Sequence, residues 1–218
     1  MDATKRQQQM RRGVTALRHQ FAQGGSGVFS AVLEGADAAQ IIETEAGHYR
    51  DRCYPPLTTL RLFIGQVLSE DGACQDVVGR HLSACVATGR RPCGLNTGPY
   101  CQARQRLPLA MPQRLLRRVG ERLESRMPKA WCWRGRHVKL FDGTTVSMPD
   151  TPENQRAFPQ SSEQKPGLGF PVARIGGLIS LASGAVLGHA VAACKGKGAG
   201  EQTLLRGLLP LIVKSDIL

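Results

Sequence analysis

The sequence predicts an α+β protein, with α/β as the neighbouring class, in which an all-helical N-terminal region precedes a region that begins as a sheet. Three observations lead there. Apolar residues recur at helical spacing from about residue 58 to 126, strand-like runs replace them after Trp131, and basic residues crowd the stretch that joins the two. The chain has 218 residues, enough to bury a substantial core, and we divide it into a basic flexible arm (1–28), a helical domain (29–130) and a sheet-bearing domain (131–218). The 41% hydrophobic and 21% charged residues are those of a globular chain and exclude disordered and fibrous classes.

The charge balance is less ordinary. Twenty-nine Lys and Arg face seventeen Asp and Glu, a net +12 that attracts polyanions, so nucleic acid is the expected partner class. Met1–Gly13 is polar and lacks the apolar run of a secretory signal, and seven scattered cysteines suit reduced thiols, so a cytoplasmic location is expected. A zinc site through His81, Cys85, Cys93 and Cys101 lacks any CxxC pair and is set aside. The uncharged stretch Ile175–Cys194 has the length of a membrane span, but its glycines, His189 and the Ser183-Gly184 turn predict two buried strands in a hairpin.

Taken in order, the arm ends at the Gly24–Gly27 breaker, and a short helix is predicted over Ala36–Gly47. Tyr54-Pro55-Pro56 interrupts regular structure, Thr58 or Thr59 caps a helix with Leu60, Phe63, Ile64, Val67 and Leu68 on one face, and Ser69–Gly72 ends it. A second helix over Cys74–Ala87 directs Val77, Val78, Leu82 and Val86 inward. Two helices about so tight a turn fit a helix-turn-helix or an ordinary helical hairpin equally well. Helical pattern resumes at Tyr100–Leu107 and Pro112–Arg126. Strands are predicted at His137–Val146, Val172–Leu181 and Ala185–Ala193, and a helix follows the glycine-rich turn 196–200, with Glu201 favoured in its first turn by the macrodipole. That turn lacks the GxxxxGK[ST] phosphate-loop pattern. Asp216–Leu218 opens like another strand.

Two features carry chemistry. Between residues 104 and 139, Arg104, Arg106, Arg114, Arg117, Arg118, Arg122, Arg126, Lys129, Arg134, Arg136 and Lys139 face only Glu121 and Glu124. Such a run is either a solvated face or a phosphate-contacting stripe. Asp142 follows Leu140-Phe141 in a predicted strand, where a carboxylate is a turn former or a metal ligand.

Several strings then resemble a known family. Leu68–Gly72, Asn96–Pro108, Asp142–Gln155, Phe158–Gln160, Gln164–Pro171 and Lys195–Glu201 are similar to DDE transposases of insertion-sequence family four, a likeness covering about residue 50 to the end. The resemblance implies an RNase H-like catalytic core in which two Asp and one Glu hold two divalent ions, normally Mg2+ or Mn2+, for DNA cleavage and strand transfer. On it Asp142 is the first acid, catalytic and metal-binding, and 131–218 is the first part of that core. Double-stranded DNA at transposon ends is the implied partner, contacted through Arg104, Arg106, Arg114, Arg117, Arg118, Lys165, Lys195 and Lys197, with a homodimer compatible. Asp216 lies too early in its strand to be the second acid. The chain is therefore expected to be a truncated copy that neither cleaves nor joins DNA alone. The alternative is a non-enzymatic DNA-binding regulator built on the 58–87 helix pair.

Overall fold

The computed structural model describes residues 36–50, 52–161, 163, 165, 167–196 and 199–218, so the predicted arm and Lys197 lie outside the described residues. The protein is mixed helix and sheet, and it divides into two compact units, 1–115 and 116–218.

The first unit is helical. It contains α1 (Ala36–Ala46), α2 (Pro56–Leu68), α3 (Cys74–Ala87), α4 (Gly98–Gln105) and the opening of α5 (Ala110–Ser125), within which the division falls. Pro56 starts α2 rather than stopping the chain before it, because a proline ring presets φ for the first helical turn, where its missing N–H costs nothing. Thr59 is consequently inside the helix, not its cap. Fully buried, it donates its hydroxyl to the carbonyls of Tyr54 (3.0 Å) and Pro55 (2.9 Å). Gly72, at φ +64°, supplies the left-handed turn between α2 and α3.

Two apolar clusters hold this unit. Ala38, Ile42, Leu60, Met111 and Leu115 form one, and Val77, Val78 and Tyr100 form the other with Tyr54, Leu62 and Leu82 against them. Val67 and Val86, expected inward, are 57% and 65% exposed. Gln66, His81 and Cys85 are buried in the same helices, because part of the interior between α2, α3 and α4 is a polar network that apolar periodicity does not report. The expectation of seven reduced thiols fails at one pair, since Cys53 and Cys93 form a disulfide across 40 residues of chain.

The second unit is a three-stranded antiparallel meander, β1 (Lys139–Ser147), β2 (Val172–Ser180) and β3 (Val186–Ala193), with β2 central. A short helix α6 (Pro152–Ala157), capped by Thr151, lies in the β1–β2 connection, and α7 (Glu201–Leu208) runs into a 3-10 turn at Leu209–Leu211. The Ile175–Cys194 stretch is the β2–β3 hairpin, turned at Gly184 (φ +67°), and no described helix is long and apolar enough to cross a membrane. Leu178, Ala185, Leu187 and Leu208 form the core, packed by Phe141, Leu211 and Ile212.

Glycine permits this packing. A Cβ on Gly176 would lie 2.8 Å from the Phe141 ring and 3.2 Å from Leu204, and one on Gly120 of α5 would lie 2.9 Å from the Val186 carbonyl. Ile217 returns parallel to the start of β1, its N–H bonding His137 O (2.9 Å) and its carbonyl accepting from Lys139 N (2.7 Å). The predicted last strand is thus a single bridge on the β1 edge.

Candidate functional site

Asp142 sits at the middle of β1, opposite Gly177, which in turn faces His189 of β3. Directly paired residues point to the same face of a sheet, so Asp142 and His189 flank the side-chain-free Gly177, about 10 Å apart by strand spacing. Asp142 is exposed, with its Oδ1 accepting the Gly143 N–H at 2.8 Å. The face around it is open, Leu140, Val146 and Val191 being 45%, 42% and 48% exposed. Residue spacing alone does not bring His189 to this row; strand register does.

The opposite face carries α7. Glu201, at its first turn, lies against Gly143, its Oε1 3.4 Å from where a Cβ would stand. Because successive residues of a strand alternate, Asp142 and Glu201 address opposite faces and do not form a pair. A hard divalent ion needs several oxygen ligands, and among the described residues no three His, Cys, Asp or Glu side chains converge to hold one. Among the described residues, Asp142 is thus not joined by two further acidic, His or Cys side chains at one point.

Asp216 is structural. Its side chain is 4% exposed, its Oδ2 accepts the Val213 N–H (3.0 Å), and it lies 3.9 Å from Lys139 Nζ. Lys139, counted in the basic run, is 2% exposed and bonds the carboxylate of Glu124, to which His137 also lies close at 3.7 Å. Arg136 donates to the carbonyls of Ser215 (2.7 Å) and Asp216 (2.8 Å). The end of the basic run thus fastens the returning chain to the start of β1.

The remaining basic residues divide similarly. Arg104 is committed to the interior of the helical unit: its Nη1 donates to Gln66 Oε1 (2.9 Å) and its guanidinium stacks over Phe63 (4.5 Å) and Tyr100 (5.7 Å). Arg106, just past α4, is exposed. Arg114, Arg117 and Arg118 project from α5 three and four residues apart, hence on one side of the helix. Arg114 pairs with Glu45 (2.8 Å), and Arg117 (3.1 Å) and Arg118 (3.3 Å) share Glu121. These pairs are solvent-exposed on the arginine side and contribute at most about 1 kcal/mol each, so a phosphate can exchange with the carboxylate. Lys165 and Lys195 are exposed in loops of the second unit, and Lys197 lies outside the described residues.

No protein-family model, curated protein or solved structure matches the chain.

Proposed function

We propose that the chain binds double-stranded DNA through the arginine side of α5 and that it belongs to the DDE transposases of insertion-sequence family four, with 131–218 forming part of an RNase H-like core. The observation that carries the transposase reading is Asp142 on β1 of a β1-β2-β3 meander whose chain then returns, through α7, parallel to β1 on its free edge. It stands with the sequence strings that resemble the family. The DNA reading rests on Arg114, Arg117 and Arg118, whose side chains are exposed on one side of α5 and pair with Glu45 and Glu121 at the surface. The regulator alternative is less well supported. The outward side of α3 carries Gln75, Asp76, Ser83 and Ala84, and its Arg80 is already paired with Asp76 (2.5 Å).

Fluorescence anisotropy of the full chain on a labelled duplex carrying the element's ends tests this. Binding is expected to be salt-dependent and indifferent to magnesium and to Asp142→Ala. Replacing Arg114, Arg117 and Arg118 together by Gln should weaken it and reduce the slope of log K against log salt by about 2 to 3, the value for three lost phosphate contacts. An unchanged slope in the triple variant removes α5 from the interface. Magnesium-dependent nicking lost in Asp142→Ala would show that the chain completes a metal site after all.

A further inference from the structure

Away from the sheet, the helical unit contains two thiols that neither the DNA surface nor Asp142 uses. Cys74 is the first residue of α3, and Cys101 lies one turn into α4, their sulfurs 3.8 Å apart. Both are partly accessible. Three donors converge on the Cys74 sulfur: Gln66 Nε2 at 3.3 Å, Arg104 Nη1 at 3.7 Å and the Cys101 thiol itself.

The donors are oriented by a network, not by chance side-chain placement. Gln66 Oε1 accepts from the Tyr100 hydroxyl (2.8 Å) and from Arg104 (2.9 Å), which leaves its amide nitrogen to serve Gly72 O (2.6 Å) and Cys74. Tyr100 is completely buried, and burial pushes its phenol up to about 12, so it stays a donor. Cys74 therefore meets an N–H of an amide, a guanidinium and the N-terminal end of its own helix, all turned towards one sulfur. Burial, then the hydrogen bond to Cys74, pushes the Cys101 thiol up from its ordinary range, which keeps the proton on the partner sulfur.

We propose that Cys74 and Cys101 form a peroxide-reactive dithiol, with Cys74 the attacking sulfur and Cys101 the resolving one. The Cys74 sulfur attacks one oxygen of hydrogen peroxide; the O–O bond breaks, Cys74 becomes a sulfenic acid, and the departing hydroxide takes the proton that the Cys74 thiol gives up and leaves as water. Cys101 sulfur then attacks the sulfenic sulfur, the S–O bond breaks, and the Cys101 proton leaves with the hydroxyl as a second water. Two sulfurs are oxidised by one electron pair in total, and peroxide is reduced to two waters. Closing the bond requires the sulfurs to come from 3.8 Å to about 2.05 Å.

The test uses the full chain, reduced and then freed of reductant, treated with hydrogen peroxide, blocked with an alkylating agent and mapped by peptide mass spectrometry. A Cys74–Cys101 linked peptide should appear before Cys132 or Cys194 is oxidised. In Cys101→Ser, the link is lost and Cys74 becomes the site labelled by dimedone, a sulfenic-acid probe. In Arg104→Met, alkylation of Cys74 should slow severalfold while that of Cys132 does not. Oxidation of Cys132 or Cys194 ahead of Cys74 in the unmutated chain overturns the proposal without recourse to any variant, and so does a Cys101→Ser chain whose Cys74 takes no dimedone.

Discussion

Tyr100 in the helical unit and Leu178 in the sheet unit are both fully buried, yet they are fixed by different means. Tyr100 gives its hydroxyl to Gln66, which also holds Arg104, Gly72 and Cys74, so one amide ties α2 to α3 and α4. Leu178 sits among Phe141, Ala185, Leu187 and Leu208, and the elements around it come close because Gly176 and Gly120 present no side chain. A polar hub is satisfied in one geometry only, since each donor needs its acceptor. An apolar core tolerates substitution of shape more readily, but it suffers when volume is lost.

That contrast can be broken by experiment. The largest effect is expected from Leu178→Ala, about 4 kcal/mol lost in urea unfolding of the full chain, with amide exchange rising in β1–β3 and not in α2–α4. A loss spread evenly over both regions would mean that the two cores are not energetically separate. Next is Lys139→Met, about 3 kcal/mol, because it leaves Glu124 and the nearly buried Asp216 without their cation; a neutral result would mean those carboxylates are better hydrated than their exposure indicates.

Gln66→Leu should cost about 2 kcal/mol, confined to the helical unit, by stranding the Tyr100 hydroxyl and the Arg104 guanidinium. An equal effect on the sheet would contradict a local hub. The smallest effect concerns pH. Burial first, and the Arg90 charge after it, hold His81 below its ordinary 6.5, a hydrogen bond to the Cys53 backbone opposing them. The unfolded chain thus takes up the proton first as pH falls. Stability from neutral His81 is present above about 6.5 and is lost as pH drops towards the lower folded value. The melting temperature of the chain should fall over that window, and His81→Leu should flatten the fall; a variant with the same slope would assign the pH dependence elsewhere.

Much of the fold was legible in the residues. Helical recurrence located α2 through α5 within a few positions, and the Ser183-Gly184 turn marked the β2–β3 hairpin. The face assignments were less secure. Val67 and Val86 sit at apolar spacing but outside the packed sides of their helices, where Gln66, His81 and Cys85 take the interior. At the candidate site, Asp142 stood out as a carboxylate in an apolar strand, whereas its alignment with Gly177 and His189 needed the register. The basic run was visible as charge but not as geometry, since Glu45 reaches Arg114 from another helix and Lys139 turns inward to Glu124.

By itself, then, the sequence determined the α+β class, the succession of helices before strands, the net positive charge and the position of Asp142 on a strand, but not the short helix Pro152–Ala157, because each of the former depends on local backbone preference or on composition. Tertiary structure decided the rest. Tyr100 meets Gln66 across 34 residues, Cys53 meets Cys93 across 40, and Arg136 meets the Asp216 carbonyl across 80. Such partners are chosen by how helices pack and strands register, and a period of 3.6 or 2 residues carries no information about contacts that distant.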